Sequence, residues 1–168
     1  MAATRVLVVA EETLARAGLA ALLRERAELD IVGQVAALTA AEIDRYDPHV
    51  IVFDLGWDAD TAVGVLADIV EAGVPVLALA PVDEAASMAW RAGARGILLR
   101  DAAPEAVETA IAGLMAGMAI IDLALAESYP LFENPHRGEP VEPLTPRELE
   151  VLRLVAEGLS RGTLWQRY

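Results

Sequence analysis

Short runs rich in β-branched residues alternate with amphipathic segments along most of the chain, and this alternation narrows the possible folds more than any other feature. The runs Arg5–Val9, Asp30–Val35, His49–Asp54, Val74–Leu79 and Arg95–Leu99 are nearly continuous in apolar character, as strands covered on both faces must be. The spacing between and after them predicts helices over Leu14–Arg26, Leu38–Tyr46, Asp60–Glu71, Glu84–Arg91 and Pro104–Met115, with Gly73, Gly93 and Pro104 punctuating their ends. Five strand-helix repeats need right-handed crossovers between parallel neighbours. The expected class is therefore α/β, a doubly wound parallel sheet between two helical layers.

A chain of 168 residues, 55% of them hydrophobic, can build one such domain and a small appendage. Residues 127–143 hold Pro130, Pro135, Gly138, Pro140 and Pro143 among charges, which reads as a linker. The expected organisation is a domain over 1–122, a linker over 123–143 and a helical appendage over 144–168. In the appendage, Thr145 and Glu148 have capping-box spacing, Pro146 suits the first helical position, and Gly158 suits the C-terminal cap. Leu149, Leu152, Val155 and Ala156 then form one apolar stripe.

Charge narrows the function. Of the formal −13, residues 143–168 carry a net +1, from Arg147, Arg153, Arg161 and Arg167 against Glu148, Glu150 and Glu157, so −14 rests on the remainder. An acidic body repels phosphate backbones and the tail has no basic patch, so no DNA-binding residue is expected within this chain. Every basic side chain is Arg, and the absence of Cys excludes disulfides, thiolate metal sites and thiol catalysis. The N-terminus shows no signal pattern, and the longest apolar run, Ala110–Ile121, is too short to span a bilayer. A cytoplasmic protein without a membrane partner is expected. Neither a Gly-rich phosphate loop nor a nucleophile elbow nor a metal-ligand cluster is present, so an enzyme is not expected.

Open parallel sheets bind ligands at the carboxyl ends of their strands, where the winding reverses. The first strand runs out into Ala10-Glu11-Glu12 and the third ends on Asp54, so Glu11 and Asp54 should converge on one crevice.

The run Arg5-Val6-Leu7-Val8-Val9-Ala10-Glu11-Glu12-Thr13-Leu14-Ala15-Arg16-Ala17-Gly18-Leu19 resembles the start of a receiver domain of the NarL/FixJ class of response regulators. Asp47-Pro48-His49-Val50-Ile51-Val52-Phe53-Asp54-Leu55 resembles its phosphoacceptor strand, and residues 91–102 resemble its fifth strand and exit. Residues 144–160 are similar to the opening helix of a LuxR-type DNA-binding domain, and the chain ends eight residues after Ser160, before a recognition helix would come. The resemblance implies a flavodoxin-like (βα)5 receiver with strand order 2-1-3-4-5, plus a short C-terminal α-helical fragment that is a partial helix-turn-helix domain.

In that class two acids after the first strand, the acceptor aspartate and a backbone carbonyl hold Mg²⁺, while a hydroxyl and a lysine contact the phosphoryl group. Carried over, the first acid is Ala10, the second Glu11, the phosphoacceptor Asp54, and the carbonyl that of Gly56. The hydroxyl position is Ala80, the aromatic switch position Ile97 and the lysine position Arg100. Mg²⁺ demands near-octahedral oxygen ligation, so one missing carboxylate and a longer Glu11 predict weak or absent Mg²⁺ binding. The expectation is an atypical two-component response regulator of the LuxR family that does not switch by ordinary phosphorylation. It would act through a receiver homodimer, a sensor kinase or partner regulator, or a ligand, with DNA bound only by a complete C-terminal domain. The alternative is a stand-alone interaction module that sequesters partner regulators.

Several residues keep a second reading. Glu11 and Glu12 stand where acids favour a helix N-terminus, and for Glu12 that explanation is preferred. Asp54 can cap its own loop, and Arg100 can pair with Asp54 or Asp101. Trp57 either covers the crevice or packs locally, Trp90 belongs to the core or to a partner surface, and His49 and His136 are structural or solvated.

Overall fold

The structure, a computed structural model, describes residues 3–128. The LuxR-like segment over 144–168 and most of the expected linker lie outside the described residues. Strands β1 (Thr4–Val9), β2 (Leu29–Val35), β3 (Val50–Asp54), β4 (Val76–Ala80) and β5 (Gly96–Leu99) alternate with helices α1 (Thr13–Arg24), α2 (Ala40–Tyr46), α3 (Ala59–Glu71), α4 (Asp83–Arg91) and α5 (Pro104–Met115). All ten expected elements are present, and the small shifts of their ends have local causes. Strand β4 begins after Pro75, which has no N–H for the ladder but whose carbonyl accepts from the Ile51 N–H at 3.0 Å. Helix α2 begins after Thr39, whose backbone N–H donates to the Glu42 carboxylate at 2.9 Å, half of a capping box.

The sheet has the order β2-β1-β3-β4-β5-β6 and every pairing is parallel. The expected order 2-1-3-4-5 thus holds, and a sixth strand extends it. Strand β6 (Ile120–Ile121) is followed by α6 (Leu123–Ser128), which corrects the expectation that a linker starts at residue 123. Leu125 of α6 is 1% exposed within the core. The Pro- and Gly-rich composition that signals a linker begins only at Pro130, whereas Leu123, Ala124, Leu125, Ala126 and Glu127 are good helix formers. Upstream, Gly117 takes a φ of 79°, which only glycine adopts freely, and turns the chain so that Ile120 can pair with Gly96.

Alternation along the strands sorts the core into two layers. Leu7, Val9, Ile51, Phe53, Ala78 and Ile97 point to the face covered by α3, α4 and Leu125. Val6, Val8, Val52, Leu77 and Leu98 point to the opposite face, against Ala20 and Leu23 of α1 and Val107 and Ile111 of α5. Each fully buried Val, Leu or Ile side chain contributes about 1.5–3 kcal/mol. Gly96 lets α5 close on the sheet, because a Cβ there would lie 2.7 Å from Leu77 Cδ1 and 2.9 Å from Leu114 Cδ1. Among the described residues no helix is long and apolar enough to cross a membrane.

One tie joins the rim of α1 to α5: Arg26 donates to Glu105 and lies 3.4 Å from Glu108. The Arg26 hydrogen bond holds the Glu105 carboxyl below the ordinary value of 4.5. Because its folded value is the lower one, this contact stabilises the fold above the ordinary value and is lost as pH falls through the folded value. Glu105→Gln is expected to flatten the acid limb of stability below about pH 4.5, read from urea midpoints at successive pH values.

Candidate functional site

Parallel register gathers four chain positions at the carboxyl edge of the sheet. Val9 pairs with Phe53, Asp54 with Leu79, and Ala80 with Leu99, so Ala10, Asp54, Ala80 and Arg100 leave their strands side by side. Backbone bonds fix these exits: Ala10 N–H to Val35 carbonyl at 3.1 Å, Leu55 N–H to Leu79 carbonyl at 3.0 Å, and Arg100 N–H to Ala80 carbonyl at 2.8 Å.

Asp54 is the buried carboxylate of this edge, its side chain 4% exposed. Its Oδ2 accepts from Arg100 Nη2 at 2.9 Å and its Oδ1 from the Gly56 N–H at 3.2 Å. Gly56 has a φ of 63°, the left-handed geometry that brings its amide back toward the carboxylate. Asp54 therefore both closes its own loop, the reading disfavoured from sequence, and pairs with Arg100. The same Arg100 nitrogen reaches Glu12 Oε2 at 3.3 Å, so the guanidinium is shared between two carboxylates by one nitrogen rather than docked on Asp54 through its fork. Its ion pairs among the described residues are to Asp54 and Glu12, which decides against Asp101. Trp57 lies over the guanidinium, 5.4 Å from its carbon to the ring centroid, while remaining 75% exposed. Such a cation–π contact at an exposed position contributes about 0.5–1 kcal/mol.

Two crevices open on either side of Asp54. One, of about 240 Å³, runs between α1 and α5 and has Arg100 in its wall. The other, of about 410 Å³, lies between the loop after β2 and the start of α3, and Glu11, Asp54 and Gly56 line it together. Glu11 and Asp54 thus share a crevice, as the strand ends required. Ala10 and Ala80, 1% and 0% exposed, add only methyl groups to this edge, and Ile97 is packed wholly into the core beneath it. Among the described residues no group of three or more His, Cys, Asp or Glu side chains is arranged to hold a metal ion.

Two participants were not legible as such. Glu12 precedes α1, where its acid suits the helix, yet its side chain makes no cap and turns to Arg100. Arg16, one turn into α1, donates to the carbonyls of Ala10 at 2.6 Å and Glu11 at 3.0 Å and so pins the loop after β1. The available signal was an arginine a helical turn beyond an acidic loop, a pattern too common to single out. His49 is structural: its Nδ1 accepts from the Arg5 N–H at 3.2 Å and helps to join the starts of β1 and β3. His136 lies outside the described residues. Trp90 packs partly against the core, with Arg95 near its ring.

No family model matches the chain. It is 30% identical over 166 residues to the transcriptional regulatory protein LiaR of Bacillus subtilis, covering 92% of this chain and 77% of that protein. It is 29% identical over 162 residues to a nitrate/nitrite response regulator protein homolog of Haemophilus influenzae, covering 93% and 77%. Among solved structures, the response regulator ChrA of a heme-sensing two-component system matches with a TM-score of 0.64 at 24% identity, covering 99% of this chain and 82% of that one. The signal receiver domain of NarL from Mycobacterium tuberculosis matches with a TM-score of 0.60 at 24% identity, covering 70% and 99%. These structural likenesses show a flavodoxin-like receiver fold.

Proposed function

The chain belongs to the NarL/FixJ class of two-component response regulators, and on that premise we propose that its receiver is an atypical one, held by an internal ion pair instead of being switched by ordinary phosphorylation. The observation that carries this reading is the 2.9 Å contact between Arg100 and the buried Asp54. For Asp54 to attack phosphorus, either Oδ2 must leave the guanidinium that pairs with it, or Oδ1 must release the Gly56 N–H while Arg100 withdraws its charge from the carboxylate. Breaking such a pair in a poorly solvated place is expensive, because the bared carboxylate has lost its water. An arginine is also a poor substitute for a mobile ammonium group, since its planar fork is always charged and less easily redirected.

The neighbouring positions support the same reading. Mg²⁺ takes near-octahedral oxygen ligation. Here Glu11, Asp54 and the Gly56 carbonyl are the donors at hand, Ala10 supplies none, and both Asp54 oxygens are engaged. These residues do not fit the ion. Ala80 offers a phosphoryl group no hydroxyl, and Ile97, 0% exposed, has no polar tip to follow one. The two-state loop movement that a phosphoryl group drives through such partners therefore lacks its levers. Regulation is then by receiver dimerisation or by a protein or small-molecule partner. DNA binding belongs to a complete LuxR-type C-terminal domain, and the chain itself carries out no chemistry.

The test is a titration of the chain with Mg²⁺ and beryllofluoride, followed by tryptophan emission and assigned with Trp57→Phe. Trp57 lies against Arg100 and reports any disturbance of the pair. Emission is expected to stay flat at millimolar Mg²⁺ with no stable beryllofluoride uptake. Saturable Mg²⁺ binding followed by persistent uptake defeats the proposal.

A further inference from the structure

The cavity of about 410 Å³ beside Asp54 falls in the size range of small-molecule sites and sits at the carboxyl ends of β1 and β3, where the winding reverses. Its walls include Val9, Leu38, Phe53, Leu55 and Val65, and every described charged residue lining it is acidic: Glu11, Asp54 and Asp58. Those three carboxylates are not equivalent. Asp54 is neutralised by Arg100. Asp58 caps α3, accepting from the Thr61 hydroxyl at 2.9 Å and from the Thr61 N–H at 3.4 Å. The Glu11 side chain, exposed at the cavity mouth, has no hydrogen bond or ion pair among the described residues and so is uncommitted. Among the described residues no basic side chain lines the cavity, which disfavours an anion, and one uncommitted carboxylate is too few for a divalent metal ion.

We propose that this cavity binds a small organic cation: a flat, apolar or aromatic body that fills the aliphatic walls, carrying one ammonium group that pairs with Glu11. An ammonium needs one close carboxylate and tolerates water on its other protons, unlike a metal ion. The body would bury against Ala36, Ala37, Ala62 and Val65, the apolar lining residues that still have surface to cover. This rests on the preceding reading, because Glu11 is free to hold an amine only if it is not a ligand of Mg²⁺. Seated between the loop after β2 and the first turns of α3, such a ligand would tie together two segments of the rim and act as the input of the receiver.

The test is a titration of the full ¹⁵N-labelled chain with phenethylamine and tryptamine, and with phenylpropionate and phenylethanol as anionic and neutral comparators, read from amide shifts. The amines are expected to give saturable shifts at Val9, Glu11, Leu38, Gly56 and Thr61, with phenylethanol binding up to about fivefold more weakly, as loss of a pair with an exposed carboxylate implies, and phenylpropionate more weakly still because it meets a like charge. Glu11→Gln, an exposed change that leaves the core intact, should weaken the amines by a similar factor, leave phenylethanol unchanged and ease the repulsion of phenylpropionate. Ala62→Leu, which fills the cavity from α3, should abolish binding. Non-saturable shifts spread over the acidic surface, equal binding of phenylpropionate, or indifference to Glu11→Gln overturns the proposal. Beryllofluoride with Mg²⁺ on the same samples reports separately. Uptake there defeats the phosphorylation-independent reading, whereas no uptake combined with no response to the amines defeats this proposal alone.

Discussion

Arg100→Met is expected to lower the stability of the receiver by about 2–4 kcal/mol, although it keeps much of the volume of the side chain. The loss comes from Asp54, which is 4% exposed and would keep its charge without its cation. Removing one partner from a fully buried pair costs about 3–5 kcal/mol, and the 22% exposure of Arg100 moves the expectation lower. Asp54→Leu combined with Arg100→Met should recover most of the loss, because an apolar pair of similar size has no charge to strand. Urea unfolding of the two single variants and the double variant gives the coupling directly. A loss below about 0.5 kcal/mol in Arg100→Met would mean that water enters the site and that the ion pair does not hold the acceptor position.

Ile97→Ala should destabilise the domain by about 2–5 kcal/mol through the lost transfer energy and the cavity left behind. Ile97 is 0% exposed, pairs with Ala78 of β4 and Ile121 of β6, and packs on the α3 and α4 face. For a domain of this size the thermal midpoint should fall by roughly 10 °C. The Glu11 cavity lies at the rim and Ile97 does not line it, so tryptamine affinity measured well below the midpoint should be unchanged. This position in the class carries an aromatic side chain that moves with the signal. A small effect of Ile97→Ala would show that the residue is loosely held and able to move as well.

The ten principal strands and helices were legible because their signals are local. The continuous apolar run Val50-Ile51-Val52-Phe53 declares a strand covered on both faces, and the 3.6-residue spacing of Val107, Ala110, Ile111 and Leu114 declares a helix seated on it. Strand β6 was not legible, since two residues carry no period. Helix α6 was hidden by its proximity to the Pro-rich stretch that follows. Within the site, the convergence of Glu11 and Asp54 followed from strand ends and topology. The part played by Glu12 did not, because an acid before a helix has a sufficient local explanation in the dipole.

Short-range pattern determined the alternation of elements, the parallel sheet, and which residues arrive at its carboxyl edge. It also determined that Ala10, Ala80 and Ile97 bring no side-chain oxygen there, since the absence of a polar side-chain group is a property of the residue itself. Only the tertiary structure decided what Arg100 does. Its contacts to Asp54 and Glu12 join residues 46 and 88 positions apart, and choosing these acids over the adjacent Asp101 depends on register and side-chain direction. A charge finds its partner through space, and distance through space is set by packing, so no one-dimensional pattern could have assigned it.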